Sequence, residues 1–193
     1  MKPTSINIII AGVGGQGTLL ASRVIGNTAL QMGYDVKVSE VHGMSQRGGS
    51  VVTYVKFSDQ KVNSPVITEG HADFVLAFET LEAYRMMGFV APGGKMIANA
   101  QQINPMPVIT GAAVYPSDIH NKIKAKGIDL VTVDALSLAI GAGNQKAVNT
   151  VLIGVLAKQS SIAKENWLES LKATVPAKLL DVNLKAFEAG YAL

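Results

Sequence analysis

A short apolar run, Ile8-Ile9-Ile10-Ala11, leads straight into Gly12-Val13-Gly14-Gly15-Gln16-Gly17, and an apolar-periodic stretch follows over residues 19–30. No other feature restricts the fold as much. The apolar run reads as a buried parallel strand, the glycines fit G-x-G-x-x-G, and the periodic stretch reads as a helix. Strand, glycine turn and helix in that order form the context in which such a pattern carries meaning. Glycine tolerates positive φ and lets backbone N–H groups approach a ligand or a neighbouring strand closely. The helix start then offers unpaired donors and a partial positive charge to an anion. Two readings follow: a cradle for phosphate or carboxylate, or a tight turn that only packs the first helix on the sheet.

The rest of the chain continues this theme. The first helix is expected over residues 17–32, ending at Gly33, and a strand over 35–41 puts Glu40 about 20 residues past the glycines. A dinucleotide fold places its ribose-binding acid there. Residues 42–50, His-Gly-Met-Ser-Gln-Arg-Gly-Gly-Ser, are dense in donors, and Arg47 could pair bidentately with a carboxylate or phosphate. The following strand, 51–57, alternates weakly, which suggests burial on both faces. Strands are expected over 72–79, 95–99, 112–115 and 130–133, with a turn at Pro92-Gly93-Gly94. Helices are expected over 80–87, capped by Thr80, over 118–126, capped by Ser117, and over 135–140. Val148, Val151, Leu152, Val155 and Leu156 then mark a strongly apolar helix. A helix over 164–173 follows, and a last one has Pro176 in its first position. Glu79 faces the ligand side of an open sheet or starts a helix, and Asn149 is a weak candidate ligand contact. The fold class is α/β: a Rossmann-like three-layer sandwich with a mostly parallel sheet and a helical C-terminus, as one domain over residues 1–193.

Composition narrows the chemistry. Charged residues are 16% of the 193, against 48% hydrophobic, below the ~25% charge usual for such chains. Much of the surface is therefore expected to be covered by another chain. A net charge of +3 is too small and dispersed to argue for nucleic acid. There is no cysteine, hence no thiolate for an iron–sulfur cluster and no thiol nucleophile. His42, His71 and His120 lack metal-ligand spacing. No catalytic set can be assembled and no metal site is expected. No signal peptide or membrane-length apolar run is read, so a cytoplasmic location is expected.

Residues 7–17, with Ser39-Glu-Val-His-Gly-Met-Ser-Gln-Arg-Gly-Gly-Ser-Val51, resemble the gamma-type domain of 2-oxoacid:ferredoxin oxidoreductases. Within that family the chain looks most like the small subunits of the indolepyruvate enzymes. The resemblance implies a reaction in which a 2-oxoacid is oxidatively decarboxylated, coenzyme A takes the acyl group and ferredoxin takes two electrons. It implies that thiamine diphosphate, magnesium and the iron–sulfur clusters belong to a large partner subunit, that ferredoxin is met through the complex, and that this chain alone is inactive. It also demotes a dinucleotide role. Gly12, Gly14, Gly15, Gln16, Gly17, Ser45, Gln46 and Arg47 become candidates for a coenzyme A approach or a subunit junction. Two alternatives remain: a stand-alone dinucleotide-binding oxidoreductase using Gly12, Gly14, Gly17 and Glu40, or a regulatory module that kept the domain without the reaction. An isolated chain could pair with itself.

Overall fold

The computed structural model describes residues 4–43 and 48–193. Strands β1 (Ser5–Val13), β2 (Asp35–His42), β3 (Ser50–Ser58), β4 (Ala72–Ala77), β5 (Val90–Asn99) and β6 (Asp129–Val133) form one sheet in the order β2-β3-β1-β4-β5-β6. Strands β1, β4, β5 and β6 run parallel. Strand β3 is antiparallel to both of its neighbours, β1 and β2. The helices are α1 (Thr18–Gln31), α2 (Thr80–Met86), α3 (Met106–Ile109), α4 (Ile119–Lys124), α5 (Ala135–Gly141), α6 (Val148–Gln159), α7 (Lys164–Thr174) and α8 (Ala177–Tyr191).

Alternate side chains of the central strands feed two cores, because successive residues of a strand point to opposite faces. Ile6, Ile8 and Ile10 pack with Val24 and Ile25 of α1, Val151 of α6 and Phe187 of α8. Ile9 packs with Val75, Met96, Leu81 of α2 and Ile123 of α4. The result is the expected three layers, with a thick helical layer on one side and a thin one on the other. Trp167 of α7 lies in the thick layer with no exposed surface.

Strands β2 and β3 pair continuously from Asp35↔Ser58 to His42↔Val51. They form a hairpin, with Gly43, Gly48 and Gly49 at its tip. Strand β3 alternates more cleanly than its sequence suggests: Val51, Thr53, Val55 and Phe57 are buried toward α1, and the residues between them are half-buried. The second face of β3 is therefore only partly covered.

Five local expectations are corrected. Residues 112–115 form no strand; Gly111 has φ +76°, Val114 is 90% exposed and Pro116 removes a donor. The Pro92-Gly93-Gly94 stretch lies inside β5, at a register shift opposite β4. A Cβ on Gly94 would come within 2.7 Å of the Ala72 carbonyl oxygen, so glycine lets the strand pass. The cap of α2 is Glu79, which accepts a hydrogen bond from the Glu82 N–H, and Thr80 is the first helical residue. The cap of α4 is Asp118 in the left-handed region. Pro176 likewise caps α8 from just outside it.

Candidate functional site

The glycine turn sits at the carboxyl end of β1, where an open α/β sheet meets its ligands. Gly15 has φ +102° and Gly17, the cap of α1, has φ +84°. A Cβ on Gly17 would lie 2.7 Å from Asn149 Nδ2. That amide donates to the Gly17 carbonyl at 3.4 Å, so Asn149 ties α6 to the turn. The turn and the hairpin tip meet directly: Gly14 N–H donates to the Gly49 carbonyl at 2.9 Å. The two sequence motifs thus form one surface. Ser45, Gln46 and Arg47 lie outside the described residues.

Gln16 is used differently from what its sequence position suggests. Its Oε1 accepts from Val13 N–H at 2.7 Å and its Nε2 donates to the Phe78 carbonyl at 3.0 Å. The amide therefore bridges the ends of β1 and β4, across the point where the chain switches direction in the sheet. Asn99 adds a second amide, donating to Phe78 O at 3.1 Å and accepting from Ala135 N–H at 3.3 Å. Gln16 shapes the turn from inside, with its donors already committed.

Two cavities flank the turn. One, of about 450 Å³, is lined by Gly15, Gly17, Thr18, Glu40 and His42. The other, of about 430 Å³, is lined by Gln16, Gln101, Lys146 and Val148. The start of α1 opens onto the first, with no acidic residue in its first turn and no side-chain cap. Its leading N–H groups lack intrahelical partners. Thr18, only 7% exposed, lines this cavity, and its hydroxyl makes no hydrogen bond to another described residue. Sequence reasoning did not single out Thr18 as a ligand contact; its position one residue past the last glycine was the available signal.

Glu40 shares that cavity but not the geometry of a ribose acid. In a dinucleotide fold the acid-bearing strand lies beside β1. Here β3 lies between, so Glu40 is displaced by one strand spacing, about 5 Å. Its carboxylate already accepts from Thr53 Oγ1 at 3.2 Å and lies 3.7 Å from His42 Nδ1. The sequence distance of Glu40 from the glycines says nothing of the reversed strand between them.

On the other face of the sheet two carboxylates are buried side by side. Glu79 and Glu82 are 1% and 2% exposed. Glu79 accepts from Ile103 N–H at 3.0 Å, from Tyr115 OH at 2.5 Å and from Glu82 N–H at 2.9 Å. Glu82 accepts from Ser50 Oγ at 2.6 Å and from Arg85 at 2.5 Å. Burial, followed by the Glu79 carboxylate, holds the Tyr115 phenol well above the usual tyrosine range. Glu79 is thus a helix-start acid that also anchors a loop. Its pairing with Glu82 escaped the sequence, where the one hint was two acids three residues apart at a helix start.

A mixed six-stranded sheet whose glycine turn meets the connection before β3 through Gly14 and Gly49 defines a Rossmann-like α/β domain. The chain belongs to the pyruvate ferredoxin/flavodoxin oxidoreductase family, whose profile matches residues 7–193. It is 44% identical over 189 residues to the indolepyruvate oxidoreductase subunit IorB of Thermococcus kodakarensis, covering 95% of this chain and 93% of that protein. The fold matches a keto/oxoacid ferredoxin oxidoreductase gamma subunit from Geobacter sulfurreducens, with TM-score 0.72, 20% identity and coverage of 97% and 96%. It also matches 31% of a chain of the 2-oxoglutarate:ferredoxin oxidoreductase from Magnetococcus marinus, over 99% of this chain, with TM-score 0.75 and 18% identity.

An iron–sulfur cluster or a metal ion does not fit the residues described. The chain has no cysteine, and among the described residues no group of three His, Asp or Glu could hold a metal. No step is assigned through an iron–sulfur cluster or magnesium here. Also among the described residues, no helix is long and apolar enough to cross a membrane.

Proposed function

We propose that this chain, residues 1–193 acting as a single domain, is the small non-thiamine subunit of an oxidoreductase that takes indolepyruvate or a related aryl 2-oxoacid. In the overall reaction the 2-oxoacid loses carbon dioxide, coenzyme A takes the acyl group and two electrons pass to ferredoxin. The observation that carries this reading is the 44% identity to an indolepyruvate oxidoreductase subunit along nearly the whole of both chains. Thiamine diphosphate, magnesium and the iron–sulfur clusters reside on a large partner subunit, and ferredoxin docks on the complex. The low charge content and the exposed Met106, Ile109 and Val114 support a surface made to be covered. The complex works in the cytoplasm.

The contribution of this chain is to receive coenzyme A. The start of α1 offers backbone donors and a favourable dipole to the diphosphate, and Thr18 lines the same cavity. Gly12, Gly14, Gly15 and Gly17 let the backbone come close, Gln16 holds the turn in shape, and Ser45, Gln46 and Arg47 remain candidates for coenzyme A or the subunit junction on their chemistry as donors.

The test is reconstitution with the large subunit and an assay of ferredoxin reduction with indolepyruvate and coenzyme A. Activity that needs both subunits supports the proposal; a lone chain that binds NAD or FAD sinks it. In the active complex, Thr18→Val should raise the KM for coenzyme A about tenfold, the effect of losing a hydrogen bond worth ~1.4 kcal/mol to a charged group. The KM for the 2-oxoacid should stay unchanged.

A further inference from the structure

We propose that Glu79 and Glu82 are positioning residues. Together they form a hydrogen-bonded relay of buried carboxylates that sets the glycine turn, the hairpin tip and the segment 100–118 relative to one another.

The relay can be followed atom by atom. Gly14 N–H donates to Gly49 O at 2.9 Å. The next residue, Ser50, donates its hydroxyl to Glu82 at 2.6 Å. The Glu82 N–H donates to Glu79 at 2.9 Å. The other oxygen of Glu79 receives Ile103 N–H at 3.0 Å and Tyr115 OH at 2.5 Å. One path thus crosses the carboxyl ends of β1 and β4 and the amino end of the antiparallel β3. It grips both limbs of a long irregular connection that carries the exposed Met106, Ile109 and Val114.

Both carboxyl oxygens of Glu79 are used as acceptors. Three donors converge on it, and a glutamine side chain would offer one acceptor oxygen and place an NH₂ against a donor. Burying two carboxylates is unfavourable unless each is well paired. Arg85 is bonded to Glu82 at 2.5 Å. Such a pair is a poor means of adding bulk stability. It is an effective means of fixing geometry, because charge-assisted hydrogen bonds are short and directional. The cavity these groups border, about 260 Å³, also touches Gly48, Gly49 and Met106, so the relay lies between the hairpin tip and the exposed lobe.

The consequence for function rests on the coenzyme A reading above: a shift in Gly49 and Ser50 is passed to Gly14 and misplaces the start of α1. The effect falls on how backbone donors meet coenzyme A, and so on its binding rather than on the chemical step.

The experiment uses the full chain and its complex with the large subunit. Amide exchange at Gly14 is measured in the free chain, and the kinetics are measured in the complex. Ser50→Ala should speed Gly14 exchange about tenfold, leaving α6 and α8 protected. It should raise the KM for coenzyme A severalfold with kcat within twofold. Ser50→Thr, which keeps the hydroxyl, should restore both. Glu82→Gln, which keeps one acceptor oxygen, should fall between. Gly14 exchange that stays at the wild-type rate in Ser50→Ala overturns the relay. Faster exchange with an unmoved coenzyme A KM supports the relay and instead overturns the placement of coenzyme A at this turn.

Discussion

Gly17 and Tyr115 show how single residues set the geometry of the edge. At Gly17 a positive φ and an approach of 2.7 Å to Asn149 Nδ2 leave no room for a side chain, so the turn and α6 are locked together through one missing Cβ. At Tyr115 the control is electrostatic. The phenol is held above its ordinary range by burial and by its bond to Glu79. A raised folded-state pKa means that folding favours the protonated phenol. Its stabilisation is therefore complete below about pH 10, the unfolded value, and is lost as pH rises through the higher folded value. Tyr115→Phe should lower stability by about 1–3 kcal/mol at neutral pH, as for a hydrogen bond to a charged group. Denaturant titrations of both proteins should show that difference shrinking above pH 10. A difference that stays constant there would refute the account.

Among the elements, the crossing of α6 and α8 is the tightest. A Cβ on Gly154 would meet the Phe187 carbonyl oxygen at 2.2 Å, and one on Gly190 would meet the Val151 carbonyl oxygen at 2.0 Å. Backbone packs on backbone here, and neither neighbour can rotate aside. Gly154→Ala should therefore destabilise by about 1–3 kcal/mol from overpacking, despite alanine's better helix propensity. Thermal melts would read this as a lower Tm, and an unchanged or raised Tm would contradict it. The sequence announced these elements well wherever a short-range period governs them: β1, the glycine turn, α1, α6 and α8 all fall where the apolar spacing puts them. It was silent where distant chain segments decide. The reversal of β3 is settled by pairing with β1 and β2, and it alone separates Glu40 from β1. The roles of Gln16, Ser50 and Glu82 are likewise fixed by partners far along the chain, at Phe78 and across Glu82–Ser50, which no local pattern encodes. Residues 112–115 misled because alanine, valine and tyrosine in a row look like a strand even when nothing pairs with them.

Over the whole molecule the layers are unequal, and apolar side chains remain on the outside. Val38 and Val41 of the edge strand β2 are 46% and 56% exposed, and Met106 and Ile109 are 64% and 65% exposed. Unpartnered, such surfaces favour self-association. The isolated chain should sediment as a dimer or larger species at micromolar concentration and convert to a heteromeric complex when the large subunit is added; a monomer across that range would argue against it. The hairpin has a separate consequence. Its stem is clamped along its full length, from Asp35↔Ser58 to His42↔Val51, and the far end of the tip is pinned at Gly49 and Ser50. Stem and tip therefore answer to different demands, as framework and hypervariable loop do in an antibody. Tips exchanged between relatives should change coenzyme A binding or subunit assembly while the strand pairing beneath stays as it is.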